Sequence, residues 1–545
     1  MGFITSIIVG LVVMVVVWWF GSGWLSRRPR KVTLPADRAD FKVAILGAGF
    51  SGLGLAIELK KRGIPFVVFE KAPSVGGTWW FNRYPGCACD IPSHLYSFSF
   101  EPNPHWSRVF PPQNEILTYL QHCASKYHIT EHIRFGKRVV GARFDNDSGR
   151  WHVTMTDVAS GADESFVADV CVSGMGGLHV PSYPDIPGRE SFAGRSVHTS
   201  EWPAEAPFDI KGRTFGVIGS AASAIQTIPA LVRGGASKVF VFQRTPNWIS
   251  PRPDGPYAKW MRDTFASVPF IMWLARCYYY LRQELILSLV FAWRSRTAVA
   301  FRRFLESTIR RRVGDKKCRD GSSMADALTP NYPPGCKRIL ISNAYYRALA
   351  HDATTLVTEP IVSIAPNGVV VRARTDTGAV EEHLIEFETL VYATGFQVIH
   401  GYPGLIGRTG RDLATDVWKT LPRAFLGCSV PEYPNFFMLL GPNSALGHNS
   451  VVWMIECQIA HVVHCITTML ERNLKSLEVK QRVFDDFQTM LQSNLKDSVW
   501  ARPNCVSWYQ NPDGVVFTVW PGHTWSFWWE TFRSTVDRDY DVVSR

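Results

Sequence analysis

Phe41-Lys42-Val43-Ala44-Ile45-Leu46-Gly47-Ala48-Gly49-Phe50-Ser51-Gly52 decides how this 545-residue chain folds. A short apolar run of strand character breaks into glycines spaced as Gly-x-Gly-x-x-Gly. A helical stretch to about Arg62 follows, then a second strand, Phe66 to Phe69. That pattern predicts a βαβ unit. Gly47 makes the tight turn, Gly49 lets backbone approach a pyrophosphate, and Gly52 lets helix pack on strand, with the helix N-terminus facing the phosphates. Glu70 closes the second strand, where a carboxylate can accept hydrogen bonds from ribose hydroxyls. A glycine-rich surface turn would account for the glycines but not for Glu70.

A second unit begins at Thr214. Phe215-Gly216-Val217-Ile218 runs into Gly219-Ser220-Ala221-Ala222-Ser223-Ala224, and a strand from Val239 to Phe242 ends in Gln243-Arg244-Thr245. Ala221 replaces the middle glycine and adds a methyl where a pyrophosphate would approach. No acid follows this strand. Arg244 stands in its place, and a guanidinium there suits a 2′-phosphate, which selects NADPH over NADH. Gly219, Ser220, Ala221, Ala224, Arg244 and Thr245 are the expected NADPH contacts. A first site for a bare ribose and a second for a 2′-phosphate describe a flavoprotein reduced by NADPH, with FAD on Gly47, Gly49, Gly52 and Glu70. The strand and turn Val391-Tyr392-Ala393-Thr394-Gly395-Phe396 resembles the segment by which such flavoproteins return from the nicotinamide domain to the FAD domain.

Two longer patterns narrow the chemistry. Phe192-x-Gly194-x-x-x-His198-x-x-x-Trp202-Pro203 and Gly76-Gly77-x-Trp79-x-x-x-x-Tyr84-Pro85-Gly86-x-x-x-Asp90 match, at every defined position, the two fingerprints of Baeyer–Villiger monooxygenases. The resemblance runs from about Lys42 to Trp525. It implies oxygen insertion beside a ketone carbonyl through a C4a-peroxyflavin, with NADPH as reductant and O2 as co-substrate. It also implies that Thr78, Trp79, Asp90 and Tyr96 lie at the FAD.

Gly335-Cys336-Lys337-Arg338-Ile339-Leu340, followed by Tyr345-Tyr346, looks like the family segment carrying an essential arginine, so Arg338 is the candidate catalytic cation and Asp90 its carboxylate partner. The chemistry needs a group that stays charged while negative charge develops on oxygen, and arginine does so. Lys337 is either a second cation facing the 2′-phosphate or a solvated surface group. His198 reads as a linker residue that couples two domains, not as a proton carrier. Gly441-Pro442-Asn443-Ser444 with His448-Asn449-Ser450 resembles the late segment that closes the FAD site, and a helix from about Val452 to Leu470 is expected after it.

Length and composition fit a multidomain enzyme, with 46% hydrophobic and 19% charged residues. The eleven cysteines are scattered, with no C-x-x-C, so neither a metal site nor a disulfide-redox centre is expected and a reducing compartment is the simpler reading. Gly2 to Leu25 carries no charge and as a helix would reach roughly 35 Å, enough to cross a bilayer. Arg27, Arg28, Arg30 and Lys31 follow it, which predicts a single-pass anchor, in the endoplasmic reticulum, with the catalytic part in the cytosol. The net charge of +11 is assigned to solubility and lipid headgroups, with no nucleic-acid partner.

The expected architecture is α/β with two Rossmann-like dinucleotide-binding domains, an inserted helical subdomain and an N-terminal transmembrane helix. Residues 1–31 are the anchor and its basic flank. Residues 41–188 and 386–545 form the FAD domain, and 189–385 the NADPH domain, with a helical insertion at 256–330. Within that insertion ten basic residues stand against two acids between Arg294 and Arg319, and contact with a membrane surface is one reading of it, a solvated helix face the other. The substrate expected is a lipophilic ketone from natural-product biosynthesis; nitrogen or sulfur oxygenation, hydroxylation, and a silent membrane flavoprotein scaffold are the alternatives. The oligomeric state is left open.

Overall fold

The computed structural model describes residues 30–203, 209–291, 295–374, 379–398, 404–502 and 504–545. The expected span Gly2–Leu25 lies outside the described residues.

Two parallel five-stranded sheets organise the chain. The first runs in the order Phe436–Met438, Val170–Ser173, Val43–Leu46, Phe66–Glu70, Ile133–Phe135. Every residue of Val43–Leu46 is buried, as expected for a central parallel strand covered on both faces. The helix Phe50–Arg62 crosses back from it and stops at Gly63, whose left-handed φ of 73° lets its N–H cap the carbonyls of Leu59 and Lys60. On the other side of that helix lies Val451–Glu471, which the sequence reading had anticipated within a residue.

Val451–Glu471 is the one helix among the described residues long and apolar enough to cross a membrane, and 72% of its most apolar window is buried inside the protein. Met454, Ile459, Val462, Ile466 and Met469 are all fully or almost fully buried, each contributing about 1.5–3 kcal/mol of burial. It is a core helix.

The second sheet runs Thr354–Val357, Lys238–Phe242, Thr214–Ile218, Thr389–Tyr392, Arg195–His198. Thr389–Tyr392 pairs in parallel with Thr214–Ile218 and with Arg195–His198, so the crossover back to the first sheet comes after Tyr392, a few residues beyond the expected boundary at 386. A three-stranded antiparallel meander, Ile361–Ala365, Gly368–Arg374 and Val380–Glu386, hangs from this domain. The insertion is helical: Lys259–Ser267, Pro269–Ile286 and Arg296–Val313.

Candidate active site

Steric demands explain Gly47 and Gly52 of the first motif. Gly47 adopts φ +98°, and a Cβ on Gly52 would sit 1.8 Å from the Gly47 carbonyl oxygen, so only glycine lets the helix Phe50–Arg62 start there. Gly49 lies against Gly77, and Gly76 N–H donates to the Ala48 carbonyl at 3.0 Å. The Gly76-Gly77 start of the other fingerprint therefore lies over the phosphate-binding turn and leads into the one-turn helix Thr78–Phe81. Trp79 donates its indole N–H to the Tyr96 hydroxyl at 3.2 Å, and Tyr96 packs edge-on to Phe50, the first residue of the helix. Thr78, Trp79 and Tyr96 thus gather beside the phosphate-binding turn.

Glu70 is buried at the end of its strand and accepts from Ala48 N–H at 2.7 Å and Ala72 N–H at 2.8 Å. Burial raises its pKa. Two backbone donors leave lone pairs on both oxygens for ribose hydroxyls, so the residues present fit a bound FAD.

The second cradle repeats this logic with one difference. Gly219 has φ +119°, and its Cβ would come within 2.4 Å of the Ala393 carbonyl. Ala221 caps the helix Ala222–Arg233 with extended backbone and is exposed, so its methyl does not disturb the turn. Ser220 Oγ donates to the Thr245 carbonyl at 2.8 Å, which ties the turn to the strand end that carries Arg244. Ala224 is fully buried where helix meets strand, the position the third glycine serves in the first motif. Arg244 is exposed, and Lys337 is close enough for Arg244 to act on it: burial first, then the Arg244 charge, lowers the Lys337 pKa. Two cations held together against their repulsion fit a 2′-phosphate.

Between the cradles, Arg338 and Asp90 meet across 248 residues of sequence. Arg338 Nε donates to Asp90 Oδ2 at 2.6 Å and Nη2 to Oδ1 at 2.8 Å, a bidentate pair. Nη1 donates to the Leu446 carbonyl at 3.2 Å. Each side chain keeps just over a quarter of its surface open, so the pair is fixed but reachable. Burial works against the guanidinium charge, but the Asp90 carboxylate outweighs it and raises the pKa, so the cation is permanent.

His198 closes the question of its own role. Its Nδ1 accepts from Ser200 N–H at 3.1 Å, the ring is wholly buried, and burial pushes its pKa down to about 4. It ends an edge strand of the second sheet, a structural position in the linker. Trp508 is half exposed and packs at a tilt against Tyr509, which is buried beside Arg338.

Several residues here gave no signal in the sequence. Gln226 on the second domain's helix accepts from the Tyr84 hydroxyl at 2.9 Å and donates to the Ala88 carbonyl at 3.0 Å, while a Cβ on Gly86 would lie 2.7 Å from the Gln226 carbonyl. The Tyr-Pro-Gly part of the fingerprint is thus a domain contact. Arg252 donates to the carbonyls of Cys89 and Phe110, holding the segment that presents Asp90. Cys336 and Cys505, 169 residues apart, form a disulfide that ties the Arg338 loop to the C-terminal region, a pairing the scattered cysteines did not suggest. Only spatial proximity pairs these residues.

Two nucleotide cradles flanking a permanent, carboxylate-held arginine define a flavin-dependent oxygenase reduced by a nicotinamide cofactor. A profile of NAD(P)-binding Rossmann-like domains matches residues 45–111, and one of L-lysine 6-monooxygenase/L-ornithine 5-monooxygenase matches residues 93–261. A Baeyer-Villiger monooxygenase of Pseudomonas aeruginosa is 40% identical over 498 residues, 90% of each chain. The FAD-binding monooxygenase ktnD of Aspergillus niger is 36% identical over 90% of this chain and 81% of its own. Among solved structures, a steroid monooxygenase bound to NADP superposes with a TM-score of 0.78 at 27% identity, covering 93% of this chain and all of its own. The chain belongs to the Baeyer–Villiger monooxygenase family.

Proposed function

We propose that this chain is a membrane-anchored oxygenase that uses NADPH and O2 to turn a lipophilic ketone, a secondary metabolite, into an ester or lactone. The observation that carries the ketone chemistry is the bidentate Arg338–Asp90 pair between the two cradles. When bound, the flavin supplies hydride acceptance and oxygen activation. The chain's own residues do the rest. Glu70 and the Gly47–Gly52 turn orient the FAD ribose and phosphates, and Arg244 and Lys337 fix the NADPH 2′-phosphate. Arg338 holds a positive charge where negative charge builds on oxygen and on the former carbonyl, and Asp90 keeps the guanidinium from rotating away. The hydrogen bonds of Gln226 to Tyr84 and Ala88 hold the second domain's helix against the segment that leads to Asp90.

The uncharged run Gly2–Leu25 and its basic flank support an anchor in the endoplasmic reticulum, with both cofactor sites on the cytosolic side. Carbonate extraction and protease protection of the full chain in microsomes test this: release into the supernatant, or protection of residues beyond 31, contradicts it.

The function is tested by a panel of ketones, amines and thioethers under isotopically labelled oxygen. Esters or lactones carrying one labelled atom are expected. Heteroatom oxides without ester would favour the nitrogen- or sulfur-oxygenating alternative, for which the L-lysine/L-ornithine profile match gives a reason to include amines. A flavin that NADPH does not bleach anaerobically would favour the silent scaffold.

A further inference from the structure

The helix Pro269–Ile286 has two faces with opposite chemistry. At about 100° per residue, Arg276, Tyr280, Gln283 and Glu284 project to one side, and Phe270, Ile271, Leu274 and Tyr278 to the other. The first side is pinned to the flavin domain. Arg276 donates to the carbonyls of His94 and Ser97 at 2.9 and 3.1 Å, and Gln283 to the His448 carbonyl at 3.0 Å. Glu284 accepts from Asn449 at 2.5 Å and from the Thr524 hydroxyl at 2.6 Å. His94 lies four residues after Asp90, and His448 two after Leu446, whose carbonyl receives Arg338. The inner face therefore grips the two segments that frame the catalytic pair.

Among the described residues the outer face has no such partners. Phe270 is 59% exposed, Leu274 45% and Tyr278 61%, with Ile271 between them, and Trp260 on the preceding helix is 69% exposed. Phe270 stacks on Trp273 at 5.5 Å, which keeps the ring displayed. An uninterrupted stripe of aromatic and aliphatic side chains facing outward is unusual on a water-facing helix. The next helix, Arg296–Val313, sets Val299 and Phe304 beside exposed Arg302, Arg303 and Arg311. Arg302 pairs with Glu306, Arg310 with Asp326, Lys316 with Asp352 and Arg319 with Glu359, while exposed Arg303, Arg311 and Arg312 have no ion pair among the described residues, which leaves a net positive charge on this helix. Exposed aromatic and apolar side chains on one helix, with a run of exposed arginines on the next, suit the headgroup layer of a bilayer with anionic lipids.

We propose that the outer face of Pro269–Ile286, with Trp260, docks on an anionic phospholipid surface, so that one helix connects the bilayer to the segments framing Arg338 and admits ketone from the lipid. This deepens the reading of the chain as a membrane-anchored ketone oxygenase and rests on it.

The test uses the full-length holoenzyme in nanodiscs of phosphatidylcholine with phosphatidylserine, the lipid carrying a diazirine in its acyl chain. After photolysis, mass spectrometry maps the labelled peptides. Label is expected in Trp260–Tyr278 as well as in Gly2–Leu25, and to fall at least about threefold in the insertion when phosphatidylserine is omitted. The double variant Phe270→Asp/Leu274→Asp is expected to lose the insertion label and keep the N-terminal one. Its KM for 2-dodecanone dissolved in the bilayer is expected to rise about fivefold or more, while kcat/KM for cyclohexanone in water stays within twofold. Label confined to Gly2–Leu25 in the wild type would overturn the docking, and so would an unchanged KM for 2-dodecanone in the unlabelled variant. A wild type that neither ketone engages but that is labelled in the insertion would sink the ketone reading and leave the docking standing.

Discussion

Replacing Arg338 by alanine tests the centre of the reasoning. The side chain makes three directed hydrogen bonds, two to Asp90 and one to the Leu446 carbonyl, so its charge is held in one place. A cation centred about 4 Å from developing negative charge, at an effective dielectric constant near 20, contributes about 4 kcal/mol. Asp90 stands behind it, about 7–8 Å from the same charge, and opposes it by roughly 2 kcal/mol. The intact pair therefore favours the transition state by about 2 kcal/mol, whereas the alanine variant leaves Asp90 alone and opposes it by about the same amount. The difference, about 4 kcal/mol, corresponds to a loss of roughly a thousandfold in ester formation, in line with the removal of one preorganised donor from an oxyanion site. Anaerobic bleaching of the flavin by NADPH depends on the cradles instead, and is expected to stay within a few-fold of wild type. The assay pairs stopped-flow flavin reduction with mass-spectrometric quantification of ester from the authentic ketone. Ester formation within threefold of wild type in Arg338→Ala would refute the electrostatic role.

The other expectations concern the cradles and the stability of the fold. Arg244→Ala and Lys337→Ala should each raise the KM for NADPH about tenfold, near 1.4 kcal/mol apiece, and leave NADH kinetics unchanged. Because the Lys337 pKa is lowered, the wild-type KM should climb at alkaline pH as that charge is lost, and Lys337→Ala should lack the climb. Gly52→Ala puts a methyl against the Gly47 carbonyl, and the purified variant should show little or no flavin absorbance. Burial holds His94 and His198 near pKa 4 and His461 near 3, below the ordinary 6.5, so the unfolded chain binds protons that the folded chain refuses. Stability from this source is complete above pH 6.5 and lost as pH falls towards 4, about 3 kcal/mol for His198, and His198→Asn should flatten the fall of the melting temperature by close to one proton. Peptide mapping without reductant should recover Cys336 linked to Cys505, and Cys505→Ser should lower stability by about 2–5 kcal/mol.

The sequence by itself determined the two βαβ units, their glycine turns, Glu70, Arg244 and the core helix after Ser450. Each of these is written in local periodicity and in conformations that only particular residues tolerate, such as φ +98° at Gly47 and the 1.8 Å clearance at Gly52. The fingerprint from Gly76 to Asp90 pointed to Asp90, and the segment Gly335–Leu340 to Arg338, only through resemblance. The tertiary structure alone decided that these two meet, that Leu446 completes the arginine's hold, that Gln226 locks Tyr84 and Ala88, that Cys336 finds Cys505, and that one face of Pro269–Ile286 is left apolar and open. Partners separated by more than a hundred residues leave no trace in spacing, because what joins them is loop closure and sheet topology, and neither is encoded in any short window of residues.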